Sequence, residues 1–107
     1  MTSLNEAALP ELEDRLSIPS YHRHAVRTGI VHFGVGGFHR SHQAMFIDRL
    51  LNLGGSQDWG ICGVGVLPSD DRMHNVLTSQ DGLYTLVLKG TDGTEDARVI
   101  GSITEYL

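Results

Sequence analysis

The hydrophobic pattern of the chain changes character at Gly29. Before it, residues 1–28 are polar apart from isolated apolar positions, of which Leu9, Leu12 and Leu16 have roughly helical spacing. Pro10 is compatible with the first turn of a helix. We interpret residues 1–28 as an N-terminal arm that becomes irregular around residues 21–24.

From residue 29 onward, the apolar runs have the lengths typical of alternating strands and helices. The β-branched run at 30–33 and the apolar run at 59–66 each predict a buried strand. A wide apolar face from about Arg40 to Leu53 predicts a helix, which Gly54 and Gly55 end. A second helix is predicted to run from a Ser69 cap to about Gln80.

Two further strand-like runs, at 84–88 and 98–103, flank the turn sequence GTDGT at 90–94. The Asp-Gly pair in that turn predicts a hairpin. The predicted order is therefore β-α-β-α followed by a β-hairpin. This α/β order is typical of the beginning of a nucleotide-binding domain, here placed in residues 29–107.

The glycines after the first strand suit a phosphate-binding turn. Such a turn must bend tightly, let the backbone approach a pyrophosphate, and begin a helix whose N–H groups face the anion. Gly34 suits the bend, and Gly36, with Gly37 behind it, suits the close approach. The third glycine of the usual G-x-G-x-x-G pattern is replaced by His39, which by itself counts against this interpretation.

An acidic residue after the second strand would bind the ribose hydroxyls of a dinucleotide, and Asp70 or Asp71 has the right position in the fold. An acid there would repel a 2′-phosphate and favour NAD, whereas the neighbouring Arg72 is able to accept one. A capped, solvated helix start explains the same acids equally well. The preference between NAD and NADP stays open.

Composition narrows the function classes. The chain has 107 residues, one cysteine, and a formal net charge of −5 with 8 lysines and arginines, which disfavours nucleic-acid binding. No apolar run approaches the roughly 20 residues that span a bilayer, and residues 1–28 lack the apolar block of a signal peptide. Cys62 alone forms no internal disulfide and fits a reducing compartment, so we expect a cytoplasmic protein.

Histidines near the glycines raise the question of a metal. His39 and His42 are three residues apart, and His32 lies on the preceding strand, but Cys62 and Asp48 have unsuitable spacing for completing a zinc site. No metal site is predicted. Packing is the simplest role for Cys62, and for Trp59 and Tyr84 as well.

Arg40 and His42 sit beside the glycine loop and admit two interpretations. They either bind phosphate or shape the nicotinamide site, or they are a solvated arginine and a histidine packed against a neighbouring segment. The sequence leaves both open.

Residues 29–44 (GIVHFGVGGFHRSHQA) closely resemble the N-terminal segment of the long-chain polyol dehydrogenases, the mannitol dehydrogenase family, which includes fructuronate and tagaturonate reductases. Residues 59–65 (WGICGVG), 80–86 (QDGLYTL) and 99–103 (VIGSI) resemble the same family in the same order. The resemblance runs from about Tyr21 to the C-terminus. In this family a Phe-His-Arg run normally replaces the third glycine, which removes the objection raised by His39.

The resemblance implies the first, incomplete part of a Rossmann-type dinucleotide-binding domain. It implies hydride transfer, without zinc, between NAD or NADP and a secondary alcohol of a polyol or a sugar acid. Asp70 would lie in the cofactor-selecting region. The residues expected beside the pyrophosphate and adenosine are Gly34, Val35, Gly36, Gly37 and Phe38, with Arg40 added from its position.

The family's catalytic lysine, asparagine and histidine lie in a helical domain far downstream, and no residue of this sequence aligns with them. We therefore expect no catalytic residue and no catalytic domain in the chain, and no turnover by the chain alone. A polyol or sugar acid would bind only together with that missing domain. Two alternatives remain: a free-standing nucleotide-binding module or inactive fragment without catalysis, and, more remotely, a methyltransferase-like fold.

Overall fold

The computed structural model describes residues 3–107. The strands are β1 (Thr28–Phe33), β2 (Gly60–Val64), β3 (Tyr84–Lys89), β4 (Glu95–Ile100) and β5 (Ile103–Tyr106). The helices are α1 (Leu9–Leu12), α2 (Gly37–Ser41), α3 (Gln43–Asn52) and α4 (Asp71–Ser79), with 3-10 helices at Glu6–Ala8, Arg23–Ala25 and Pro68–Asp70. Within residues 3–107, no helix has both the length and the apolar character needed to cross a bilayer.

Three strands form a parallel sheet in the order β1-β2-β5. Ile30, Ile61 and Ile103 are paired across it, so their side chains share one face. Helices α3 and α4 pack on that face, where they complete a single core cluster. The buried members of that cluster are Val35, Ala44, Met45, Ile61, Leu77, Tyr84, Ile100 and Ile103.

The hairpin is confirmed, but the single strand predicted over residues 98–103 is wrong. β3 and β4 pair antiparallel from Tyr84 with Ile100 to Lys89 with Glu95. The chain then leaves β4 through buried Gly101 and Ser102 and joins the parallel sheet as β5. A side chain at Gly101 would meet Pro19 Cγ at 2.9 Å, so the crossing from hairpin to sheet requires a small residue there.

The first predicted helix is wrong in its start and in its continuity. It begins at Gly37 rather than near Arg40, and it is interrupted at His42, whose backbone angles (φ −122°, ψ −84°) are not helical. The second helix does not start from a Ser69 cap. Its first turn is the 3-10 helix Pro68–Asp70, and the Asp70 carboxylate accepts the backbone N–H of Leu67.

β1 is buried on one face only, which corrects the prediction of a fully buried strand. Ile30 packs against the core. Val31 and Phe33 point to the opposite face and are 57% and 66% exposed, because both packed helices lie on the other side of the sheet. Trp59 is half-exposed rather than part of the core, whereas Tyr84 and Cys62 are buried as predicted.

A buried carboxylate ties the N-terminal arm to the domain. Asp48 on α3 is 1% exposed and accepts hydrogen bonds from the Tyr21 hydroxyl, the Gly101 N–H at 2.9 Å and the Asn52 amide at 3.1 Å. Burial raises the pKa of Asp48, and the bonds from Tyr21 and Gly101 oppose that rise. Arg23 adds a second tie, since its guanidinium donates to the carbonyl of Gly101.

Replacing this carboxylate should destabilise the protein. Asp48→Ala leaves the Gly101 N–H and the Tyr21 hydroxyl without their acceptor, so we expect the free energy of unfolding to fall by about 3 kcal/mol. Arg49→Ala, at the exposed neighbouring position, should stay within about 0.5 kcal/mol of the parent chain. Equilibrium urea denaturation measures both, and equal losses in the two variants would contradict a role for this bonded group.

Candidate functional site

The glycine loop starts at the carboxyl edge of the parallel sheet. Gly34 follows β1 directly, has a positive φ of +82°, and donates its N–H to the Val64 carbonyl at 2.9 Å. A side chain built there would meet nothing within 4 Å, so the backbone angle alone favours glycine. The bend predicted for Gly34 is therefore present, and it is joined to the end of β2.

Gly36 and Gly37 have a different character. Gly36 is extended (φ −105°, ψ −175°), a conformation open to any residue, and a side chain there would meet nothing within 4 Å. At Gly37 the nearest neighbour would be the Arg40 guanidinium at 3.9 Å. Neither backbone conformation nor packing among residues 3–107 requires glycine at these two positions. A ligand that approaches the backbone closely would require it.

The first turn of α2 supplies hydrogen-bond donors beside these glycines. The first hydrogen bond within α2 runs from the Arg40 N–H to the Gly36 carbonyl, at 3.0 Å. The earlier N–H groups of α2, from Gly37 to His39, therefore have no partner within the helix. Open backbone next to unpaired donors is what an anion-binding turn needs.

A cleft of about 420 Å³ opens beside the loop. Phe38 lines it, is 78% exposed, and stacks on His42 with ring centres 4.0 Å apart. Val35 has its side chain in the core, against the space left by Gly63, so only its backbone faces the loop. The lining residues are His32, Gly34, Gly36, Phe38, His39 and Gln43.

Arg40 lies behind the loop and does not line the cleft. Its Nε donates to the Gly36 carbonyl at 3.3 Å, and its guanidinium lies 6.0 Å from the centre of the Tyr84 ring. The Tyr84 hydroxyl donates to the Arg40 carbonyl at 2.6 Å. Arg40 and Tyr84 therefore brace the glycine loop against the start of β3.

Asp70 lies just past the carboxyl end of β2. One carboxylate oxygen, Oδ2, accepts the N–H groups of Val66 and Leu67, each at 2.9 Å. These two bonds lower the pKa of Asp70, which keeps it ionised. Because Gly34 is bonded to Val64 at the end of the same strand, the loop and the Asp70 turn belong to one edge of the sheet.

His32 and His39 form a stacked pair in this cleft, and the sequence did not predict that contact. His39 on α2 is 6% exposed and stacks on His32 of β1 with ring centres 3.7 Å apart and an interplanar angle of 10°. Burial, followed by the nearby His32, lowers the pKa of His39. Among the described residues, no three His, Cys, Asp or Glu side chains converge as a metal site would require. The signals in the sequence were a histidine at the position of the third glycine and a second histidine, His32, on the preceding strand.

Comparison with known proteins gives a match to the model of the mannitol dehydrogenase Rossmann domain over residues 28–106. A mannitol 2-dehydrogenase of Pyrenophora tritici-repentis is 52% identical over 104 residues, which are 97% of this chain and 18% of the relative. Mannitol dehydrogenase 2 of Saccharomyces cerevisiae is 49% identical over 106 residues, 99% of this chain and 21% of the relative. The chain thus spans about a fifth of the length of these relatives.

Two solved structures resemble the fold. The ternary complex of Pseudomonas fluorescens mannitol 2-dehydrogenase with NAD and D-mannitol superposes with a TM-score of 0.93 at 43% identity, covering 99% of this chain and 22% of that one. A substrate-free D-sorbitol dehydrogenase gives a TM-score of 0.85 at 32% identity, covering 98% and 22%. The predicted α/β fold, the first part of a Rossmann-type domain, is confirmed.

The two kinds of loop glycine should respond differently to the same change. Gly34→Ala forces an alanine into a left-handed conformation, so we expect it to lower the free energy of unfolding by roughly 1–2 kcal/mol. Gly36→Ala should leave stability unchanged or raise it by about 0.5 kcal/mol, since alanine restricts the unfolded chain. Equilibrium unfolding of both variants tests this, and a loss at Gly36 as large as that at Gly34 would show that the fold itself needs both glycines.

Proposed function

The chain belongs to the mannitol dehydrogenase family, and we propose that it is the cofactor-binding segment of an NAD-dependent oxidoreductase acting on a polyol of the mannitol type. In this proposal the glycine loop binds the diphosphate of the dinucleotide. The groups that bind the polyol and move its proton belong to other parts of the enzyme. A hexuronate is the alternative substrate class.

The observation that carries the proposal is the pair Gly36 and Gly37. Their lack of side chains serves no packing or conformational need among the described residues. It leaves the backbone before α2 open at the carboxyl edge of a parallel sheet, which is the position where α/β domains bind ligands. A diphosphate accepts hydrogen bonds from backbone N–H groups, and those at the start of α2 lack partners within the helix.

Other residues of the chain have defined tasks in this proposal. Gly34 fixes the bend, and Arg40 braces the loop from behind through the Gly36 carbonyl. Val35 contributes backbone only, and Phe38 lines the cleft. The bound cofactor would supply the hydride acceptor at its nicotinamide ring, so the task of this segment is to hold and orient it.

Asp70 is the proposed determinant of cofactor choice. One of its oxygens is engaged by two backbone N–H groups, which fixes the carboxylate in place and keeps it charged. A fixed carboxylate after the second strand suits the hydroxyls of an adenosine ribose and repels a 2′-phosphate. We therefore propose NAD rather than NADP as the cofactor.

Relatives support both parts of the proposal. The Pseudomonas fluorescens enzyme described above was solved with NAD and D-mannitol, and its similarity extends over 99% of this chain. The Pyrenophora tritici-repentis relative, which is 52% identical, carries the name mannitol 2-dehydrogenase.

Filling the open space at Gly36 should weaken cofactor binding without unfolding the chain. Gly36→Val places a branched side chain where a diphosphate would contact the backbone, so we expect the affinity for NAD⁺ to fall at least about tenfold, or ~1.4 kcal/mol. Titration calorimetry with NAD⁺ and ADP-ribose measures the change. Thr91→Val, in the exposed hairpin turn, should bind like the parent. Absence of NAD⁺ binding by the parent chain would overturn the proposed function, and normal binding by Gly36→Val would overturn this site.

Removing the charge at Asp70 should shift cofactor preference. Asp70→Asn keeps an oxygen for the Val66 and Leu67 amides but ends the repulsion of a 2′-phosphate, so we expect the NADP⁺ to NAD⁺ affinity ratio to rise about tenfold. Asp71→Asn is the matched control, because it removes the same charge from the exposed next residue. The two affinities are measured by calorimetry on each variant. If Asp70→Asn and Asp71→Asn raised the NADP⁺ to NAD⁺ affinity ratio equally, the change would come from the net charge of the chain and would contradict a specific role for Asp70.

A further inference from the structure

The cleft beside the glycine loop contains a buried side chain whose polar atoms are unsatisfied. His39 is 6% exposed, and neither Nδ1 nor Nε2 has a hydrogen-bond partner among the described residues. Gln43 lies close enough to influence the pKa of His39, but it does not meet hydrogen-bond geometry with either nitrogen. Buried polar atoms are nearly always paired in folded proteins, so this imidazole is suited to a partner from outside these residues.

The position of the His39 ring is fixed. It stacks almost parallel on His32, with ring centres 3.7 Å apart, so a strand and a helix hold the pair between them. Both rings line the same cleft as Gly34 and Gly36. A ligand held by the glycine loop therefore has the two imidazoles beside it.

The charge state of His39 determines which ligand groups are able to hydrogen-bond to both of its ring nitrogens. Burial lowers its pKa, and His32 and Arg40, the titratable neighbours that act on it, lower it further. The ring is thus neutral near pH 7 and presents one N–H donor and one bare nitrogen acceptor. An ionised phosphate offers acceptors only and would leave the bare nitrogen unpaired. A hydroxyl or a carboxamide both donates and accepts.

We propose that the His32–His39 pair recognises the nicotinamide riboside half of the dinucleotide, with His39 hydrogen-bonded to its ribose hydroxyls or its carboxamide. This proposal rests on the proposed function. It gives a binding role to His39, which stands where the usual G-x-G-x-x-G pattern has its third glycine. The glycine loop then holds the diphosphate, while the imidazole pair distinguishes a complete dinucleotide from a mononucleotide diphosphate. His39 is in this sense a specificity-determining residue.

The test compares three ligands on one variant. His39→Phe keeps an aromatic ring for stacking on His32 and removes both nitrogens. Calorimetry with ADP, ADP-ribose and NAD⁺ should show unchanged ADP binding and a loss of about tenfold for NAD⁺. An equal loss for ADP-ribose assigns the contact to the ribose hydroxyls, and a loss confined to NAD⁺ assigns it to the carboxamide.

Controls separate binding from folding. His22→Phe makes the same change at an exposed position before β1 and should bind all three ligands like the parent. His39→Gln restores a donor and an acceptor and should recover part of the lost affinity, which a purely structural role would not produce. His39→Met provides a second, more flexible removal of both nitrogens if the phenylalanine variant does not fold.

Two results would overturn the inference while leaving the proposed function intact. Equal weakening of ADP, ADP-ribose and NAD⁺ would show that His39 serves the loop or the diphosphate. Unchanged binding of all three ligands by folded His39→Phe would show that it makes no contact. Failure of the parent chain to bind even ADP would instead overturn the proposed function on which the inference rests.

Discussion

The parallel pairing of β1 with β2 determines where every part of the site lies. The register from Ile30 with Ile61 to Phe33 with Val64 brings both strands to one edge, and the N–H of Gly34 continues the pairing onto the Val64 carbonyl. The pairing depends on close packing behind that edge. A side chain at Gly63 would meet Val35 Cγ2 at 2.6 Å, so the strand can lie under the loop only because that position is glycine.

The hairpin and β5 hold the helices in place over this edge. The Tyr84 hydroxyl binds the Arg40 carbonyl at the end of α2, and the buried Ser102 hydroxyl binds the Ala44 carbonyl in α3 at 2.6 Å. These bonds link positions 44 and 58 residues apart in sequence. These two hydrogen bonds lie on either side of the helix break at His42, one at Arg40 and one at Ala44. The helices that follow the glycine loop are therefore held by β3 and by the segment before β5.

Local chemistry explains what could be predicted from the sequence. A β-branched run, a glycine at a bend and an amphipathic stretch identified β1, Gly34 and α3. The division of residues 98–103 was not predictable in this way, because these residues form one continuous strand-like run in the sequence and only the separate pairing partners of β4 and β5 divide it. The same holds for the half-exposed β1 and for the His32–His39 stack, which depend on which face the helices cover and on a contact between two elements.

The exposed apolar face of β1 lies on the strand that also contributes His32 to the cleft. Val31 and Phe33 expose apolar surface on β1, which stands first in the strand order β1-β2-β5 of the described residues. His32 lies between these two residues and faces the cleft, so β1 lines the cleft on one side and exposes apolar side chains on the other. An exposed apolar patch is where another segment or molecule packs, and one that packed on Val31 and Phe33 would also hold the strand that carries His32.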